Sequence, residues 1–142
     1  MSVLTSNILN LSNLNTLAEK LSRQLKAGDV CFLHGELGAG KTTFVQKLLE
    51  SYGLKGKVKS PTYGLLESYE LEKFTLHHMD LYRLKDPEEL IYLGLDDLFK
   101  APSVFLVEWP EKACGSFPTP PTYQLYFYHV LENPDVRRYA GF

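Results

Sequence analysis

The chain has 142 residues, 44% hydrophobic and 13% aromatic, with a net charge of −2 at pH 7. That length suits one domain with a real core, and no apolar run is long enough to suggest a transmembrane helix. Residues 1–60 carry eight Lys/Arg against four Asp/Glu, and residues 61–142 carry seven against thirteen, so neither half is charged enough to predict nucleic-acid binding by itself.

The start, MSVLTSNILNLSN, lacks a basic opening and a continuous apolar centre, which makes it a poor export signal. Leu14, Leu17, Ala18, Leu21 and Leu25 recur at helical spacing, with Ser12 placed to cap that helix and Gly28 just past its end. DVCFLHG then reads as a buried strand over residues 29–34. Phe44, Val45, Leu48, Leu49 and Tyr52 mark a second helix closed by Gly53. Residues 54–62 read as a loop with Lys55, Lys57, Lys59 and Pro61. YGLLESYEL and FTLHHMDLY read as two strands joined in an antiparallel hairpin. DPEELIYLGLDDLF reads as a helix with Asp86 as cap and Pro87 in its first position. SVFLV is another buried strand, and TYQLYFYHVLE, alternating and aromatic, reads as a strand near an edge. Strands alternating with helices, plus one hairpin, predict an α/β fold: a mixed sheet flanked by helices, in a single domain over residues 1–142. Cys31 sits in an apolar run and Cys114 in a loop-like stretch, without zinc spacing, which points to a reducing, cytoplasmic setting.

Between the first buried strand and the second helix stands GELGAGKT, with Gly35, Gly38, Ala39, Gly40, Lys41 and Thr42, followed by Thr43. It matches the G-x-x-x-x-G-K-[ST] phosphate loop, or Walker A motif. Glycines let successive N–H groups turn inward around an anion, and the following helix adds its positive end. Lys41 supplies a point charge for the terminal phosphates, and Thr42 a hydroxyl for Mg2+. The pattern arises by chance in about one chain of this length in 200 at average residue usage, and it stands here between a strand and a helix, as the mechanism requires.

Such a loop needs a carboxylate from another strand to complete its Mg2+ site. In VFLVEWPE, Glu108 follows four apolar residues and is placed to hold Mg2+ through a water, to polarise an attacking water, or both. A solvated strand end would also explain it. Asp80 is the other candidate: it ends the strand FTLHHM and shares a face with Phe74, Leu76 and His78, although a cap or surface acid would also explain it. His77 and His78, being adjacent, point to opposite faces, so they read as structural and not as a joint metal site. KSPT, residues 59–62, is a loop that either brings a Ser or Thr to the γ-phosphate or Mg2+ as a nucleotide switch or is an ordinary turn stiffened by Pro61. Trp109 either stacks on a base or partner or fills the core.

A GTPase should carry N-K-x-D, which is absent. A small-molecule kinase needs an arginine-rich lid, yet of Arg23, Arg83, Arg137 and Arg138 only Arg83 lies between the loop and the final predicted strand. An ATPase that drives a partner needs no second substrate pocket and suits a short chain best. The kinase remains the alternative.

GELGAGKTT, KSPTY, HHMDLYRLKDPEEL, GLDDLF and VEWPEK occur here in the order in which they stand in the bacterial tRNA threonylcarbamoyladenosine biosynthesis family TsaE, and the resemblance spans roughly residues 10–130. It implies a small P-loop ATPase binding ATP and Mg2+, working with TsaD and TsaB, which join the threonylcarbamoyl group to N6 of adenosine 37 in tRNA. By the same resemblance Lys41 and Thr42 take the phosphate and Mg2+ roles, and Glu108 the Mg2+-linked acid. Asp80 becomes catalytic or metal-linked, Ser60 and Thr62 form the switch, and Trp109 lies beside the nucleotide. Segments near Leu11 and Ser12, and near Asn133, are placed for adenine contacts. Many relatives run further than Phe142; if their tail covers a core face, the end of this chain would fray or be covered by a partner.

Overall fold

A computed structural model describes residues 5–9, 11–36, 40–54, 65–113, 115, 117–129 and 137–141. Strand β1 (Thr5–Leu9) leads into helix α1 (Leu11–Gln24), and the residues at helical spacing, Leu14, Leu17, Ala18 and Leu21 within it and Leu25 just past its end, are buried. The helix starts at Leu11, so Ser12 lies in its first turn instead of capping it. Gly28, past its end, adopts φ 98°. Strand β2 (Val30–His34) then runs into the glycine loop and helix α2 (Lys41–Ser51). α2 closes with Gly53 at φ 92°, while the Leu54 and Gly53 amides donate to the Leu49 and Glu50 carbonyls. This paired capping satisfies carbonyls that the helix end would otherwise orphan.

The predicted hairpin is present as β3 (Leu66–Glu70) and β4 (Thr75–Asp80), paired antiparallel. The single helix expected over residues 86–99 is instead two short ones, α3 (Glu89–Tyr92) and α4 (Leu95–Lys100). Gly94 at φ 70° turns the chain left-handed between them and breaks the ladder. Asp86 still caps the opening turn, its Oδ1 accepting from the Glu88 amide at 3.0 Å. Strand β5 (Ser103–Glu108) is buried along its whole length, a 3₁₀ turn follows at Pro110–Ala113, and β6 (Tyr123–His129) and β7 (Arg137–Gly141) complete the order.

The seven strands form one sheet in the order β1-β7-β6-β2-β5-β4-β3. β6, β2, β5 and β4 run parallel, with antiparallel partners added outside them. β6 is therefore interior, not near an edge. Its alternation arises because Leu125 and Phe127 are buried while Gln124 on the opposite face is exposed. The pattern marked an open face, not an open hydrogen-bonding edge. One face of the sheet, with Leu33, Leu76, Leu106 and Phe127, packs on α1 and α2 through Leu21, Phe44 and Leu48. The other, with Met79, Phe105 and Val107, packs on Leu90 and Leu95, and Phe99 stacks on Phe105 at 4.3 Å. Each such fully buried side chain contributes about 1.5–3 kcal/mol. Among the described residues no helix is long and apolar enough to cross a membrane.

Candidate active site

The C-terminal ends of β2, β5 and β4 lie side by side, and chain connections leave β2 in both directions. A crevice of this kind beyond the strand ends is where open α/β sheets hold ligands. At the end of β2, Gly35 adopts φ 143°, and a Cβ there would lie 2.5 Å from the Phe127 carbonyl oxygen. Glycine is required because β6 passes too closely for any side chain. Gly40, at φ 110°, precedes α2 with no side-chain cap. The first helix bond runs from the Phe44 amide to the Gly40 carbonyl. At a helix start, the N–H groups of residues 41–43 have no carbonyl one turn back, and they carry the positive end of the dipole.

Lys41 is only 4% exposed. Its ammonium donates to the Gly35 carbonyl and lies 4.1 Å from the centroid of the Trp109 ring. Burial pulls its pKa below the ordinary lysine value, while the charges of Glu108, Asp80 and Glu111 act in the opposite sense. The same carboxylates thus help to keep the loop cation charged.

Glu108 ends β5 and is 3% exposed. In the parallel β4–β5 register it stands opposite Asp80. Period-two alternation sends His78, Asp80 and Glu108 to the α2 side of the sheet, along with Leu76 and Leu106. There the Thr42 hydroxyl donates to Glu108 Oε2 at 3.5 Å, and His78 Nε2 donates to the same oxygen at 2.6 Å. Asp80 is half-buried and its Oδ1 accepts from the Tyr82 amide at 3.1 Å. Burial raises its pKa above the usual carboxylate value, and nearby Glu108 adds to the rise. The Tyr82 amide, His78 and Lys41 oppose it.

Trp109 has φ 58°, the one positive φ outside glycine among the described residues. This left-handed residue turns the chain out of β5 into the 3₁₀ turn, where the Lys112 amide donates to the Trp109 carbonyl at 3.0 Å. It also brings the indole over Lys41, with the Tyr82 ring 5.0 Å away.

Gly35, Gly40, Lys41, Thr42, Asp80, Glu108 and Trp109 thus gather at one end of the sheet. Thr43 is exposed on the first turn of α2. Gly38, Ala39, the lysines at 55, 57 and 59, Ser60, Thr62, Cys114 and Asn133 lie outside the described residues, as do the side chains of Leu11 and Ser12. Cys31 is buried and free, its thiol pushed up by burial first and Asp29 second.

His78 is the site residue that sequence reasoning set aside. The available signal was its spacing of two from Asp80, which puts both on one strand face. His77, on the opposite face, bonds Ser68 at 2.7 Å through Nδ1 and packs on Phe105. Among the described residues no group of three or more His, Cys, Asp and Glu is placed to hold a metal. The Thr42 hydroxyl and Glu108 carboxylate are hard oxygen donors at 3.5 Å. They suit Mg2+, which takes one or two protein oxygens and fills its remaining positions with water and phosphate.

A family model described as "Threonylcarbamoyl adenosine biosynthesis protein TsaE" matches residues 8–138. The tRNA threonylcarbamoyladenosine biosynthesis protein TsaE of Haemophilus influenzae is 49% identical over 87 residues, covering 61% of this chain and 55% of that protein. Its namesake in Rickettsia bellii is 38% identical over 104 residues, covering 72% of each. The matches to the Haemophilus influenzae, Rickettsia felis and Rickettsia conorii proteins span 55%, 56% and 54% of those proteins, little more than half their length. The crystal structure of YdiB from Bacillus subtilis superposes with a TM-score of 0.74 at 28% identity, over 99% of this chain and 86% of that one. With the family match running from β1 into β7 and the same fold in a solved structure, the chain belongs to the TsaE family.

Proposed function

We infer that the chain is an ATP hydrolase of a single P-loop domain, weak alone, that supports tRNA N6-threonylcarbamoyladenosine formation by relatives of TsaB and TsaD. The observation that carries this reading is the contact between Thr42 Oγ1, on the helix of the phosphate loop, and Glu108 Oε2, on a different strand, at 3.5 Å. A loop that only binds an anion has no need of a buried acid there. A loop that hydrolyses a metal–nucleotide complex does.

In this reading Gly35 and Gly40 shape the loop, and Gly38 and Ala39 belong to the nucleotide-binding motif. Lys41 faces the terminal phosphates. Thr42 and Glu108 would hold Mg2+, which when bound neutralises charge on the phosphates. Glu108 and Asp80 orient and polarise the attacking water. Trp109 borders the nucleotide, and Thr43 and Thr62 contribute further contacts to it. Thr62 also forms the switch, together with Ser60. The names of the relatives, tRNA threonylcarbamoyladenosine biosynthesis proteins, support the tRNA pathway as the setting.

The test is phosphate release from ATP by the purified chain, alone and with TsaB and TsaD. A low rate that rises on mixing is expected. No rise on mixing would overturn the accessory role, and transfer of phosphate to a hydroxylic metabolite instead of water would favour a kinase.

A further inference from the structure

We propose that His78 is the positioning residue for Glu108, holding its carboxylate in the orientation that serves a metal-bound nucleotide. The inference rests on the P-loop hydrolase reading and adds a residue to it. His78 is fully buried and its Nε2 lies 2.6 Å from Glu108 Oε2, the shortest side-chain contact that acid makes among the described residues. Nδ1 is buried with no hydrogen-bond partner among the described residues.

A carboxylate oxygen only accepts, so the Nε2–H of His78 donates to Glu108. Both side-chain contacts of the carboxylate, from His78 and from Thr42, fall on Oε2.

The location argues against a merely structural histidine. His78 lies between Leu76 and Asp80 on a strand face whose neighbours are Leu106, Leu76 and Val104. A leucine at that position would fill the core without an unpartnered ring nitrogen. His77 shows the structural alternative one residue away, with its hydrogen-bonded nitrogen on a serine and its ring on Phe105. Groups that hydrogen-bond a metal-linked carboxylate from behind fix its rotamer, and removing one typically costs about 10–100-fold in metal affinity or activity.

The experiment compares His78→Leu, His78→Gln and His78→Asn by calorimetry, measuring ADP affinity with and without Mg2+, and by ATP hydrolysis. Gln can place an amide nitrogen near the position of Nε2, whereas Asn is too short. Affinity for ADP without Mg2+ should be unchanged in all three. The tightening produced by Mg2+ should fall about 10–100-fold in His78→Leu and His78→Asn and be largely restored in His78→Gln. If His78→Leu does not fold, the Gln and Asn pair decides. Equal Mg2+ linkage in Gln, Asn and wild type would overturn the proposal. Failure of the wild type itself to bind ADP would sink the underlying hydrolase reading instead, and normal wild-type linkage with an unaffected His78→Asn would sink only the role of His78.

Discussion

The ammonium of Lys41 lies against the face of Trp109, 4.1 Å from the ring centroid, while it donates to the carbonyl of Gly35. A phosphate oxygen arriving at the loop competes with both partners for the same charge. The contact therefore links the loop cation to the chain's single tryptophan.

Lys41→Ala should weaken nucleotide binding by about two orders of magnitude. A hydrogen bond to a charged group is worth up to about 3 kcal/mol, or roughly 100-fold in affinity. ADP titrated into the wild type should change tryptophan fluorescence, and in the variant both that response and the calorimetric signal should shift to about 100-fold higher ADP. ADP affinity within a few-fold of wild type would show that Lys41 only fills space between Gly35 and Trp109.

Glu108→Gln should still bind ATP, because Lys41 and the start of α2 remain, yet hydrolyse it about 100-fold more slowly or worse, the usual scale for losing a positioned acid–base group. Single-turnover phosphate release checks this, and undiminished release would reduce Glu108 to a structural acid.

Asp80 carries a pH dependence with a definite sign. Its folded pKa is raised, by burial first and then by Glu108. The folded state therefore holds the proton more tightly than the unfolded chain does. Stability is lost as pH rises from the ordinary Asp value, near 4, through the raised folded value. Asp80→Asn should melt a few degrees higher than wild type at pH 7 in EDTA, while hydrolysis falls. That advantage should shrink as pH drops and vanish once Asp80 is protonated in both states. Thermal melts across pH 4–8 measure it, and an advantage that grows toward low pH would contradict the assignment.

Gly35→Ala should destabilise the fold by about 1–3 kcal/mol, the range for overpacking a tight site, because its Cβ would meet the Phe127 carbonyl at 2.5 Å. Urea denaturation reads the loss. A neutral effect would mean that β6 yields at no cost.

Much of this protein was legible from residue order because the relevant forces are local. Helical spacing from Leu14 to Leu21 located α1, whose buried face those residues form. Apolar runs located β2 and β5, and the glycine-lysine-threonine spacing located the loop, since backbone conformation and short-range amide placement depend on near neighbours. Other features depend on what packs alongside. The break at Gly94 appeared only where the chain covers the Phe105 face. β1 and β7 pair with one another from opposite ends of the chain, Thr5 opposite Gly141. The polar face of β6 gave no sign that β7 lies on its outer side. The same division runs through the active site. Sequence alone selected Lys41, Thr42, Asp80 and Glu108 as chemical groups and set His78 and Asp80 on one strand face. Only the parallel register that places β4 beside β5 puts Asp80 opposite Glu108 and points His78 at the same carboxylate. Register is a long-range property, set when the apolar faces of both strands are buried together, and no local pattern encodes which residues it brings side by side.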